Sequence, residues 1–239
     1  MRACCDRIAD RRPAGAPVAR LVASQQRRRR RIVEAAVHLA EKGGLEAVRL
    51  RDVARVSEVA LGTLYKYFRS KEDILLYALT EEVERLEVAM AATPAAGTAP
   101  LDRVADFFAR ATRGLTRRPH LARAVLRSLA SGDVTMAGKV AAFHLRMTRL
   151  IVAALRGETP AAGAEAAVGA ARERDVAFML QNVWFASLVG WAGGLHPVRE
   201  VAGRMRTAAA LMLNHGEGAR RAAAAPRGSR AAAAARGRA

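Results

Sequence analysis

Four side chains able to hydrogen-bond crowd into the stretch LGTLYKYF, residues 61–68: Thr63, Tyr65, Lys66 and Tyr67. No nucleophile–base set, metal-ligand cluster or phosphate-binding glycine loop accompanies them, so their chemistry is recognition and not bond breaking. A threonine hydroxyl can bond a phosphate or a base edge. The Tyr65 ring can lie against a thymine methyl or its hydroxyl can reach a phosphate, and Tyr67 can donate to a phosphate. Lys66 falls on an outward face, and Gly62 permits close approach of the backbone to a duplex. Just downstream, Ser70-Lys71-Glu72-Asp73 is a helix start with a capping serine and acids in the first turn. Its free N–H groups, helped by Lys71, can hold another phosphate. Tyrosines in small helical domains are often ordinary packing residues, and Lys71 alone would mean nothing; the combination at this spacing carries the reading.

These residues need a scaffold, and 32–79 supplies one. Ile32, Ala35, Ala36, Leu39 and Ala40 recur at helical spacing and form an inner stripe, ended by Gly43 and Gly44. A second helix, 50–56, should turn Val53, Ala54 and Val56 inward. Residues 57–60 make a turn with Val59 as its apolar plug, and a third helix, 61–68, should bury Leu64 and Phe68. A fourth, from 71, buries Ile74, Leu75, Ala78 and Leu79. Two short helices joined by so tight a turn describe a helix-turn-helix that reads duplex DNA. Arg27 to Arg31 lie just upstream of the stripe; they are either a solvated basic run or a further contact to the phosphate backbone.

The formal net charge is +18 over 239 residues, but it is uneven. Ten arginines and two aspartates occupy 1–31, six arginines and no acid occupy 219–239, and 32–218 carries only +4. Such ends attract nucleic acid non-specifically, and equally are compositions that cannot fold alone. Residues 1–24 and 217–239 are expected to be a disordered arm and tail, flanking a reading head at 25–80 and an effector-binding and dimerising unit at 81–216. Scarce strand-forming runs and pervasive alanine-rich periodicity predict an all-α protein. Its two cysteines are the neighbours Cys4 and Cys5, so a disulfide framework or metal site is not expected and a cytoplasmic location is. No apolar run is long enough for a membrane span. Neither catalytic residues nor a cofactor are expected.

After a short linker at 91–100, helices are predicted over about 101–117, 119–130, 133–155, 171–190 and 197–214, with a loop at 157–168. The segment FMLQNVWFASLVGWAGG is apolar almost all round, so a second surface must cover it. A homodimer built from the last two helices of each subunit is the natural cover. Phe107, Phe108, Leu126, Phe143, Met147, Leu150, Met179, Trp184 and Trp191 could line a cavity for a hydrophobic effector, or be plain core. Asn182, Gln181, His144 and Arg146 are candidates for orienting its polar head.

The stretch RLRDVARVSEVALGTLYKYFRSKEDIL resembles the DNA-binding domain of the tetracycline-repressor (TetR) family, whose G-T-L-Y-x-Y-F-x-S-K-E core stands intact at Gly62–Glu72. The resemblance implies a dimer on a palindromic operator, with Leu61 to Tyr65 at the major groove and Arg51, Tyr67 and Lys71 as backbone anchors. It also shows departures: Leu50 where many members have a capping threonine, and Glu58 and Ala60 where glycine and serine are commoner. A closer likeness, over EKGGLEAVRLRDVARVSEVALGTLYKYFRSK and DVAFMLQNVWFASLVGWAGG, is to the actinobacterial branch that represses steroid-degradation genes. That branch implies release by a CoA thioester of a sterol-derived acid; a fatty acyl-CoA or another hydrophobic molecule is the alternative, and a general basic DNA-binding protein a third.

Overall fold

A computed structural model describes residues 16–130, 132–160 and 169–224, with side chains described over 23–214 of these. The described residues form nine α-helices and no strand: α1 (Ala16–Ala47), α2 (Leu50–Val56), α3 (Leu61–Tyr67), α4 (Lys71–Ala92), α5 (Pro100–Thr116), α6 (Pro119–Ala130), α7 (Ala137–Arg156), α8 (Ala171–Ala192) and α9 (Arg199–Ala224). A 3₁₀ turn, Val134–Met136, precedes α7.

The ends of the helical body differ from expectation. Helix α1 starts at Ala16, inside the segment expected to lack structure, with Pro17 in its first turn where a missing N–H costs nothing. Helix α9 runs on to Ala224 into the basic tail. Alanine and arginine are strong helix formers, so a composition that reads as a tail also propagates a helix once one has begun. The rest of the arm, with Cys4 and Cys5, the 161–168 part of the loop and the tail beyond 224 lie outside the described residues.

Within α1 the glycine pair breaks the helix as the sequence suggests. Gly44 sits at φ 66°, ψ −160°, a conformation open in practice to glycine alone, and a last short turn follows it to Ala47. The α2–α3 turn contains a different feature: Glu58 adopts φ 53° without being glycine. Arg31 reaches over from α1 to donate to the carbonyls of Ser57 and Glu58, and also lies 3.4 Å from the Glu58 carboxylate. Ser57, buried, donates its hydroxyl to the Val53 carbonyl at 2.7 Å. The turn is therefore held by its neighbours against an unfavourable backbone angle. Glu58→Gly should stabilise the protein by about 0.5–1 kcal/mol, since a left-handed L-residue costs ~1–2 kcal/mol and the exposed ion pair contributes little. A urea titration showing an unchanged or lower midpoint would contradict it.

Two apolar cores result. One gathers Ile32, Ala36, Val53, Leu64, Phe68, Ile74 and Leu75 beneath the reading head; the other gathers Phe107, Phe108, Met147, Leu150, Leu180, Trp184 and Leu188 among α5, α7, α8 and α9. Val56, expected inward, is 38% exposed. Helix α6 belongs to both cores: Leu121, Ala124 and Val125 complete the first, while Ala122 and Leu126 face the second. Its N-terminus is tied to α1, where Glu41 Oε1 accepts from the Leu121 N–H at 2.8 Å. The expected division at residue 80 is thus crossed by a helix forty residues further on.

Candidate functional site

Helix α3 is anchored by Leu64 and Phe68, fully or almost fully buried, and this fixes which faces remain outside. Gly62, Tyr65 and Lys66 are exposed, Tyr65 at 51%. Thr63 and Tyr67 are half-buried, and Arg51 on α2 is exposed. Space around Gly62 is open: a Cβ placed there would meet nothing within 4 Å. Leu61 divides its surface between the outside and the head's core, as does Tyr67. The Arg29 guanidinium lies 6.0 Å from the Tyr67 ring and 5.3 Å from that of Tyr77, so this arginine of the basic run is spread over aromatic faces.

The start of α4 is built as the sequence predicts. Ser70 Oγ accepts from the Asp73 N–H at 3.2 Å, and Asp73 Oδ2 accepts from the Arg69 N–H at 3.1 Å. Lys71 sits half-buried at its first position. Asp73 is 3% exposed and also receives the ammonium of Lys139 from α7, a contact no local pattern announces. Helix α7 is clamped again further along, where Arg146 Nε donates to Glu87 at 2.8 Å and Nη1 to Glu84 at 3.0 Å, both on α4. The hydrogen bond to Glu87, above all, raises the Arg146 pKa beyond its ordinary value. Arg146 is therefore engaged in helix-to-helix pairing.

Beneath α4 lies an apolar cavity of about 210 Å³ walled by Leu79, Leu115, Val125, Leu126, Leu129, Val140, Phe143, His144, Met147, Gln181, Asn182, Trp184, Phe185 and Leu188. Of the residues expected to line such a space, it gathers Leu126, Phe143, Met147, Asn182 and Trp184, with His144 and Gln181 as polar members. Gln181 is buried and links His144 Nδ1 at 3.0 Å to Thr148 Oγ1 at 2.9 Å, so the polar patch is satisfied yet faces the cavity. Trp184 donates its Nε1–H to Thr112 at 2.9 Å, which fixes the indole as a wall.

The other expected lining residues lie elsewhere. Phe107, Phe108 and Leu150 are solid core, the Phe108 ring tilted against that of Trp184 with centroids 5.7 Å apart. Trp191 is buried under the Arg123 guanidinium at 5.1 Å. Met179 is 55% exposed, because Ala177, Leu180, Trp184, Leu188 and Trp191 take the inner stripe of α8 and leave Met179 on the far side. Phe178 and Val189 are exposed with it, as is Leu211 on α9, so among the described residues these apolar side chains of α8 and α9 face outward.

The cavity adjoins a larger open cleft of about 750 Å³ between α4 and α5, with Leu79, Leu115, Phe143, Met147 and Trp184 shared between them. Four arginines, Arg85, Arg110, Arg113 and Arg117, line this cleft against one acid, Glu82. Arg85 and Arg110 pair at 2.8 Å with Glu82 and Asp106, Arg117 approaches Glu82 at 3.6 Å, and Arg113 is exposed. This basic rim was hidden in the sequence, where arginines are everywhere. An apolar chamber behind a cationic mouth suits a ligand with a hydrophobic body and an anionic head.

Comparison with known proteins covers both halves of the chain. Residues 32–78 match the family described as "Bacterial regulatory proteins, tetR family", and residues 97–212 match "Tetracyclin repressor-like, C-terminal domain". The chain is 35% identical over 198 residues to the HTH-type transcriptional repressor KstR of Rhodococcus jostii, covering 83% of this chain and 87% of that one. It is 29% identical to the repressor of that name from Mycobacterium tuberculosis, over 80% of this chain and 82% of that one. Among solved structures, a TetR transcriptional regulator from Rhodococcus sp. RHA1 superposes with a TM-score of 0.67 at 28% identity, covering 79% of this chain and 97% of the other. The Thermus thermophilus repressor FadR, crystallised with lauroyl-CoA, shares the fold at a TM-score of 0.61 and 24% identity, over 77% and 93%.

Proposed function

The chain belongs to the TetR family of bacterial transcriptional regulators, DNA-binding dimers and not enzymes, and on that premise we propose that it represses steroid or lipid degradation genes until a hydrophobic acyl-CoA thioester releases it from a palindromic operator. The apolar cavity opening onto four arginines carries this reading. A CoA head brings phosphates to the rim, and the acyl part enters the chamber. The cleft and cavity together fall in the size range of sites that enclose a drug-sized ligand.

The remaining parts take their places around that site. Thr63, Tyr65 and Lys66, with the backbone at Gly62 and the outer side of Leu61, read the major groove, while Arg51, Tyr67 and Lys71 hold phosphates. Two heads on a two-fold axis require a palindromic operator. The outward faces of α8 and α9 meet their counterparts in the partner subunit, burying Phe178, Met179, Val189 and Leu211. Effector binding acts by favouring a head spacing that no longer fits the operator.

The likeness to KstR points to a steroid-derived acid as the acyl group; the shared fold of FadR makes a fatty acyl-CoA the second reading. Titrating operator release with steroid-derived CoA thioesters, fatty acyl-CoAs and the corresponding free acids separates them. Replacing Arg113 and Arg117 together by alanine should raise the thioester concentration needed for release about tenfold, a loss of ~1.4 kcal/mol, and leave any response to free acid as it was. Release by free acid and thioester at equal concentrations would remove CoA from the proposal.

A further inference from the structure

We infer that Leu129 and Val140, together with Val125, form a partition that senses effector length and transmits it to the DNA-reading head. The inference rests on the thioester reading above. These three residues line the apolar cavity on one side. On their other side they line a separate groove of about 250 Å³, whose opposite wall includes Glu72 and Leu76 in the first two turns of α4. None of the three lines the arginine-bearing cleft, which meets the cavity along Leu79, Leu115, Phe143, Met147 and Trp184. An effector held by its anionic head at the arginines therefore points its apolar end at the partition.

The partition is built to yield. Behind Leu129 and Val140 lies the groove, where their outer surfaces lack the dispersion contacts of a packed core, while Val125 is held in the core of the reading head. Leu129 and Val140 are only half-buried, and the chain beside them turns through Gly132 at φ 68° and the Asp133-capped 3₁₀ turn. A short effector stops before this wall and binds without moving it. A long one displaces Leu129 and Val140 into the groove, against Leu76 and the turn of α4 that follows the reading helix. Val140 also neighbours Lys139, whose ammonium holds Asp73, so the same displacement strains the tie between α7 and the cap of α4. Binding and release are thereby two different functions of length.

The experiment measures two quantities over saturated thioesters from octanoyl-CoA to stearoyl-CoA: the dissociation constant, from Trp184 fluorescence, and the half-point of operator release. In the wild type, the ratio of release half-point to dissociation constant should fall abruptly past a threshold length. Leu129→Ala combined with Val140→Ala should raise that ratio about tenfold for the chain just above threshold, because the chain enters the groove without pushing. Leu129→Trp should move the threshold to shorter chains. Ratios are compared, so a variant with altered operator affinity or thioester affinity remains readable, and a thermal melt on each variant excludes unfolded protein. Thioesters that bind and release with one constant ratio at every length, in wild type and variants alike, would overturn the partition and leave the effector class standing. Failure of every one of these saturated thioesters to bind the wild type would overturn the fatty acyl reading, and the partition as a sensor of chain length with it.

Discussion

Placing a glutamate at Gly62 will make the protein more stable and abolish operator binding. Gly62 is the second residue of α3, exposed, with no atom within 4 Å of where a Cβ would stand. A glycine there gives away about 0.8–1 kcal/mol of helix propensity relative to alanine, with nothing in the free protein to explain it. A carboxylate in the first turn gains further from the helix dipole, so Gly62→Glu should raise unfolding stability by ~0.5–1 kcal/mol. On the duplex the same side chain fills the space where backbone and DNA meet and sets a negative charge among phosphates. Like-charge contact of that kind costs several kcal/mol, so operator affinity should fall at least about a hundredfold. Thermal unfolding and operator titration on the same preparation decide the matter. Gly62→Ala should keep part of the stability gain and show a smaller loss on DNA. A variant that binds operator normally would mean that α3 does not approach the duplex along this face.

Asp73→Ala should destabilise the junction of the reading head with α4 and α7. The carboxylate satisfies the Arg69 N–H, accepts the Lys139 ammonium, and completes the cap whose other half is Ser70. Loss of the cap contribution costs ~1 kcal/mol, and loss of a charged hydrogen bond that is buried at Asp73 but 57% exposed at Lys139 a further ~0.5–1.5 kcal/mol, so a destabilisation of ~1.5–2.5 kcal/mol is expected. Operator binding should weaken with it, since Arg69 and Ser70 connect α3 to α4. Lys139→Met separates the two contributions: it leaves the cap intact and removes only the tie to α7. If Lys139→Met changes neither stability nor effector response, α7 does not reach the head through Asp73.

The reading head was legible because its logic is local. Leu64 and Phe68 stand one turn apart, Ser70 and Asp73 stand at capping distance, and Gly43-Gly44 punctuate α1; each follows from spacing within a few residues. The effector unit was legible only in outline. Helix α8 is apolar on every side, so nothing in its pattern distinguished Trp184, in the cavity wall, from Met179, outside, or Trp191, sealed under Arg123. Arg146 looked like an anion-binding residue because Glu84 and Glu87 lie some sixty positions away in the chain. The arginine rim escaped notice for the opposite reason: in a chain with 40 basic residues, four that converge across a fold carry no sequence signal. Glu58 is the instructive case in between. Its substitution for a commoner glycine was visible, but its left-handed angle and the brace from Arg31 were not.

Sharing α6 between two cores also bears on how regulators of this kind can be recombined. Leu121, Ala124 and Val125 fill the floor of the reading head, and Glu41 closes the top of the same helix. A head excised at residue 80 would present that floor to water as an apolar patch without its lid. A hybrid sensor that borrows this head must therefore carry the 121–125 face along with it, or rebuild it from the donor's own sixth helix. Modularity in this protein is a property of surfaces and not of contiguous sequence. The seam along which new specificities can be spliced runs through the middle of a helix.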